Sequence, residues 1–114
     1  MNSRDNVVIR KIVGYCEQIE QTHRYFHDDQ ALFFSEKDGF VYRNSVSMPI
    51  LQIGELAKRL SEEYLAAHKT IPWRAIMGMR DIFAHHYGSI DYNELWNTSH
   101  GDITTLKACL QAEL

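Results

Sequence analysis

The chain has 114 residues, 45% of them apolar and 24% charged, with a formal net charge of −3. That length suits one domain, residues 1–114, built on one modest core. The acidic balance argues against an indiscriminate nucleic-acid binder, while leaving room for a local basic cleft or one assembled from two copies.

The N-terminal stretch "MNSRDNVVIRKIVGY" is too charged for a signal peptide, and no apolar run reaches membrane-spanning length. The expectation is a cytoplasmic chain without membrane contact. Apolar positions then recur at helical spacing. Val8 or Ile9, Ile12, Cys16, Ile19 and Phe26 predict a helix from about Asp5 to Phe26. "HDDQALFFSEKDGF" reads as a connection with one helical turn in it. The next helix is expected from Phe40 to His68, with Leu51, Leu56, Ala57, Leu60 and Tyr64 inward. Pro49 inside it should kink it or break it near Ser47.

Pro72 suits a first helical turn. Trp73, Ile76, Met77, Met79, Ile82 and Phe83 predict a third helix, apolar enough around its circumference to be buried on more than one side. Gly88 is expected to stop it. A last helix starts near Asp91, with Asp91 and Glu94 spaced as a capping box. Ile103, Leu106 and Leu110 continue its stripe, and Gly101 is a weak point. The fold expected is all-α: an antiparallel up-and-down bundle of four main helices plus short extra helical pieces. Cys16 and Cys109 are expected as buried free thiols, Trp73 and Trp96 as packing residues, and Gly54 and Gly78 as points of close helix approach.

The stretch "GMRDIFAHHYGSID" (78–91) crowds titratable chemistry into a helix end. On an ideal helix a step of five turns about 140° beyond a full circle, so Arg80 and His85 do not share a face. A step of seven returns to within about 20°, so Arg80 and Tyr87 do. Asp81 stands four residues before His85, within reach of its imidazole. Arg80 and His85 meet either by a swing at the helix end or across a two-fold axis between protomers. Such a pair suits RNA cleavage without metal. The imidazole exchanges protons with the attacking 2′-OH or the leaving 5′-oxygen, and the guanidinium stabilises the phosphate charge. The bland alternative is surface ion pairing by Arg80 and Asp81, with His85 at a favourable helix C-terminus.

Other features carry less. His23 and His27 stand at i and i+4 without a third ligand or an HExxH pattern, so a helix-dipole role is expected and no metal site. Glu55 is either an inward carboxylate ordering Arg80 or another cation, or a boundary residue with its head in water. "KDGFVYR" (37–43) reads as a solvated face, or as part of an RNA-facing rim through Lys37, Tyr42 and Arg43.

The order Arg80, four residues, His85, one residue, Tyr87 resembles the RX4HXY motif of the HEPN-fold toxins in MNT–HEPN (HepT–MntA) toxin–antitoxin modules, the HepT-like ribonucleases. "LQIGELAKRLSEEY" (51–64), "IPWRAIMGMRD" (71–81) and "IDYNELW" (90–96) resemble the same family's segments in the same order. The resemblance implies a HEPN-like helical domain that forms a homodimer. It implies a metal-independent endoribonuclease, needing no cofactor, with Arg80 and His85 lining a cleft between protomers. Asp81 matches a position that the family fills with Asn or Asp. The implied partner is a minimal nucleotidyltransferase antitoxin that silences this type VII-like toxin by AMPylation of Tyr87. The alternatives are a non-catalytic HEPN helper that binds nucleotide or the nucleotidyltransferase, and a plain dimerisation module. His86 falls at a variable position and receives no role.

Overall fold

A computed structural model describes residues 2–114. Helix α1 spans Ser3–Tyr25, opened by the Asn2 side chain, which accepts the Asp5 backbone N–H. A short α2, Gln30–Phe34, is capped in the same way by Asp29. The long α3 covers Phe40–Ala57, α4 Glu62–Ala67, and α5 Trp73–His85. After a 3-10 turn at Tyr87–Ser89, α6 (Tyr92–Asn97) and α7 (Ile103–Gln111) follow, joined by a π-helical turn at Thr98–Asp102. The expected all-α bundle is therefore what forms. Among the described residues no helix is long and apolar enough to cross a membrane.

Polar contacts fix the antiparallel order. His23 near the end of α1 bonds Tyr42 near the start of α3, while Asp5 near the start of α1 bonds Ser61 beyond the end of α3. Arg80 and Tyr87 of the α5 segment reach Glu55 and Asn44 of α3, again in reverse order. Lys107 of α7 reaches Glu20 of α1 at 2.6 Å. Ile9, Ile12, Cys16 and Ile19 bury the inner stripe of α1 against Val46, Ile50 and Ile53 of α3. An aromatic cluster closes one end. Phe26 stacks on Tyr42 at 4.4 Å, and Phe33 meets both Tyr42 and Trp96 edge-on.

Several expectations are corrected. The helix expected from Phe40 to His68 is two helices, because Ser61 starts α4 by accepting the Tyr64 N–H, with Glu62 and Glu63 in the favoured acidic first turn. Asp5, buried under this junction, accepts both the Ser61 N–H (3.0 Å) and its hydroxyl (2.6 Å). Burial works to raise the Asp5 pKa, but these two bonds and nearby Arg4 outweigh it and hold the carboxyl below its ordinary value. Pro49 does not break α3 near Ser47: the helix runs through it with Pro49 and Ile50 buried, so packing outweighs one missing hydrogen bond.

α5 ends at His85, before Gly88, which lies in the following 3-10 turn. Only one face of α5 is buried, through Trp73, Ile76, Met79 and Phe83, while Ile82 is exposed. Cys109 is exposed and Cys16 alone is buried. Gly101 sits inside the π turn, where the last helix is indeed irregular. In "KDGFVYR", Tyr42 and Arg43 are buried, which removes them from any RNA-facing rim, while Lys37, Asp38, Phe40 and Val41 are solvated. Arg43 donates to the carbonyls of Phe33 (2.6 Å) and Ser35 (2.8 Å) and lies over the Tyr92 ring. His23 is buried too. Burial, and then neighbouring His100, pull its pKa down to about 4, so it is neutral and has no charge to set against a helix dipole.

Candidate functional site at the seam of α3 and α5

The approach of α5 to α3 is set by glycine. A Cβ on Gly54 would stand 2.4 Å from the Cβ of Arg80 and 3.1 Å from the Ile76 carbonyl oxygen. Only a residue without a side chain lets Arg80 lie against α3 at this point. The other expected contact point fails, for a Cβ on Gly78 meets nothing within 4 Å.

Arg80, three-quarters buried, is held by two carboxylates. Its Nε donates to Glu55 Oε1, and its Nη1 donates to Asp81 Oδ1 at 2.9 Å. Glu55 is therefore the inward carboxylate that orders Arg80. Asp81 Oδ1 also accepts Lys58 Nζ at 3.1 Å. Lys58, and then Arg80, hold the Asp81 carboxyl below its ordinary pKa. The chain of charges Lys58, Asp81, Arg80, Glu55 straps α5 to the last turn of α3. Among the described residues, Nη2 of Arg80 makes no hydrogen bond and remains available.

Asp81 does not reach His85, as the spacing alone would allow. Its Oδ1 takes both Lys58 and Arg80, the stronger permanent cations, which turn the carboxylate toward α3. His85 ends α5 in solvent, and among the described residues it has neither a hydrogen bond nor an ion pair. Arg80 and His85 are not joined within the protomer. Tyr87 lies past the helix end, in the 3-10 turn, yet it still faces α3: its hydroxyl donates to Asn44 Oδ1. Its ring, 42% exposed, meets Phe83 edge-on and borders an open groove of about 370 Å³ lined by Asn44, Ser47, Met48, Leu51 and Phe83. Arg80 and Tyr87 thus sit along one seam. Their α3 partners, Glu55 and Asn44, are roughly 16 Å apart at about 1.5 Å per residue.

The sequence reading missed two members of this seam. Lys58 follows Glu55 by three residues, a same-face spacing that was there to be read. Asn44 carries no local signal, since its partner lies far along the chain. Large apolar side chains also stay in water: Met48 and Tyr87 line the same groove, and they, Val41 and Ile82 are each more than a third exposed.

The sequence model of the family "Ribonuclease HepT-like" matches residues 15–113. Among curated proteins, "Putative RNase TTE0752" of Caldanaerobacter subterraneus subsp. tengcongensis is 38% identical over 55 residues, 48% of this chain and 49% of that one. "Probable ribonuclease HepT" of Thermococcus cleftensis is 40% identical over 55 residues, 48% of this chain and 50% of that one. "Putative RNase MJ0125" of Methanocaldococcus jannaschii is 26% identical over 88 residues, 72% and 76% of the two chains. The similarity spans about half the length of the first two relatives. No solved structure matches the chain. With the family's sequence model matched over nearly its whole length, the chain belongs to the HepT-like ribonuclease family.

Proposed function

We propose that this chain is a metal-independent endoribonuclease and the toxin of a type VII-like toxin–antitoxin module, acting as a homodimer with Arg80 and His85 in a shared cleft. The observation that carries the reading is the state of these two side chains. Arg80 is rigidly placed with one Nη still available, and His85 stands in solvent with both ring nitrogens unengaged among the described residues. A helix end of purely structural purpose has no need of either. In the reaction, the 2′-oxygen attacks the adjacent phosphorus and the bond to the 5′-oxygen breaks. One His85 takes the 2′-OH proton, another supplies a proton to the leaving oxygen, and Arg80 stabilises the charge on the phosphoryl oxygens. Two histidines and two arginines come from two protomers. Val41 and Met48 of α3 and Ile82 of α5, all exposed, supply the apolar surface for that contact.

Tyr87 is the proposed target of a minimal nucleotidyltransferase antitoxin. Its hydroxyl lies at the rim of a groove, bonded only to Asn44 among the described residues. Attack of that oxygen on the α-phosphorus of ATP, with loss of pyrophosphate, puts a bulky anion on the seam that Arg80 shares. It repels RNA phosphate and fills the approach. A second reading, a non-catalytic helper that binds the nucleotidyltransferase, is favoured by one observation: Glu55 and Asp81 already neutralise Arg80.

Purified wild type, Arg80→Ala and His85→Ala, each shown to be folded by circular dichroism, are incubated with RNA without added divalent metal to decide between the two. The expected result is cleavage by the wild type and a loss of about 10²-fold or more in each variant. Intact RNA with all three proteins defeats the nuclease reading. For the antitoxin, the expected result on co-expression is a mass gain of AMP units, abolished by Tyr87→Phe.

A further inference from the structure

His23 and His27, one helical turn apart in the sequence, separate in the fold. The chain leaves α1 through two residues with left-handed backbone, His27 (φ 57°) and Asp28 (φ 50°). This unusual pair of non-glycine conformations turns the chain back and carries Asp28, not His27, over His23. The third arrival is His100, from the π turn between α6 and α7. Its ring lies over that of His23 with centroids 3.7 Å apart. Asp28 Oδ1 is 2.8 Å from His100 Nε2 and 3.9 Å from His23 Nδ1. One ligand atom from each of the three residues lies within 4.8 Å of the others.

The hydrogen bonds behind these rings decide where the protons are. His100 Nδ1 lies 2.9 Å from the Trp96 carbonyl oxygen, which can only accept, so Nδ1 carries a proton and Nε2 of the neutral ring is a bare lone pair. Ser99 gives its hydroxyl proton to the same carbonyl, so its oxygen accepts from His23 Nε2–H at 2.9 Å. That leaves His23 Nδ1 as an acceptor as well; it takes the Tyr42 hydroxyl proton at 2.6 Å, a bond that a metal on this nitrogen replaces. Two imidazole lone pairs and a carboxylate oxygen therefore converge. An acceptor nitrogen and an acceptor oxygen 2.8 Å apart repel each other unless a proton or a metal ion lies between them.

We propose that His23, Asp28 and His100 bind Zn²⁺ or a similar divalent transition metal, with Tyr42 Oη as the neighbouring fourth donor. Two imidazoles and one carboxylate are a borderline-soft set that suits Zn²⁺ and not Mg²⁺ or Ca²⁺. With Zn–N and Zn–O bonds of about 2.0–2.2 Å, tetrahedral ligand atoms lie about 3.3 Å apart. The separations of 2.8 and 3.9 Å bracket that spacing. The outer contacts are those of a metal site: each imidazole donates its far N–H to a fixed acceptor, the Trp96 carbonyl or Ser99 Oγ. The π turn has the purpose such insertions commonly have, re-aiming one side chain out of the regular helix. The ion ties the end of α1 to the α6–α7 junction. It uses no residue of the α3–α5 seam, so it is structural and compatible with metal-independent cleavage.

The competing arrangement puts a second proton on His100 and makes the contact an imidazolium–carboxylate pair. Full-length wild type, Asp28→Asn, His100→Gln and, as a control, His68→Gln are dialysed against Zn²⁺ and then metal-free buffer. Metal content, thermal midpoint and the visible spectrum of the Co²⁺-loaded proteins are then measured. Asp28 and His100 are partly exposed, so both variants are expected to fold, as far-UV circular dichroism will report. The expected result is one Zn²⁺ per chain in wild type and His68→Gln. A raised midpoint and a tetrahedral Co²⁺ spectrum accompany it, and affinity falls at least tenfold in the other two variants. Wild type that retains no metal and shows no midpoint shift overturns the proposal in favour of the protonated pair. Binding undiminished in Asp28→Asn and His100→Gln overturns it in favour of another location.

Discussion

At the scale of single residues, the candidate site depends on one missing atom. Arg80 reaches its position because Gly54 has no Cβ, and the clash that a Cβ would cause is with the stem of Arg80 and the backbone of Ile76, neither a flexible end. Gly54→Ala therefore pushes α5 off α3. The expected cost is about 1–3 kcal/mol in urea unfolding, with RNA cleavage reduced through the displaced Arg80. Gly78→Ala is the control. Its Cβ meets nothing, and alanine favours a helix interior by roughly 0.5–1 kcal/mol, so stability is expected to hold or rise with cleavage unchanged. Equal losses in the two variants would refute the close-approach role of Gly54.

At the scale of elements, the junction between α3 and α4 is where the chain departs most from a simple four-helix reading. Ser61 caps α4 and at the same time satisfies the buried Asp5 of α1. Ser61→Ala removes a cap and one partner of a buried carboxylate. It is expected to destabilise the fold by about 2 kcal/mol at pH 7. The pH dependence follows from the depressed Asp5 pKa. The unfolded chain takes up this proton first, at the ordinary value of about 3.8. The contribution of Asp5 is therefore complete above that pH and is lost as pH falls below it, through the folded value. Comparing Asp5→Asn with wild type by urea unfolding from pH 7 to pH 2.5, the gap is expected to narrow below about pH 3.8. A gap that stays constant would mean that Asp5 titrates alike in both states.

At the scale of the whole molecule, no protomer joins Arg80 to His85, so the proposed chemistry needs two. Mixing inactive Arg80→Ala with inactive His85→Ala protein is expected to restore a small part of the wild-type cleavage, because the mixed dimer keeps one arginine and one histidine in its cleft and solvent water takes over the second proton transfer. Met48→Lys, which charges an exposed apolar position beside the seam, is expected to shift sedimentation toward monomer and to lower cleavage at equal concentration. Cleavage by a Met48→Lys monomer at the wild-type rate, with no rescue on mixing, would locate the whole reaction in one protomer.

What the sequence determined by itself was local. The helical period placed α1, α5 and most inner residues of α3 and α7, since Ile12, Leu56, Phe83 and Leu106 all turn inward where their spacing says they should, while Leu51 is only half-buried. Asp91 caps α6 as its spacing with Glu94 suggested. The same period separated His85 from the face shared by Arg80 and Tyr87, and the order of those three residues pointed to the family. The fold alone decided which faces meet. Asp81 had His85 within reach along its own helix but found Lys58 on another. His23 was read as a charged helix end and lies buried beneath Tyr42 and Trp96. His100, at the opposite end of the sequence, replaced His27 as its companion. Periodicity assigns a residue to a side of its own helix, while pairing between helices is settled by the joint packing of all of them. That is why the positions of Arg80, His85 and Tyr87 were legible early, and their partners were not.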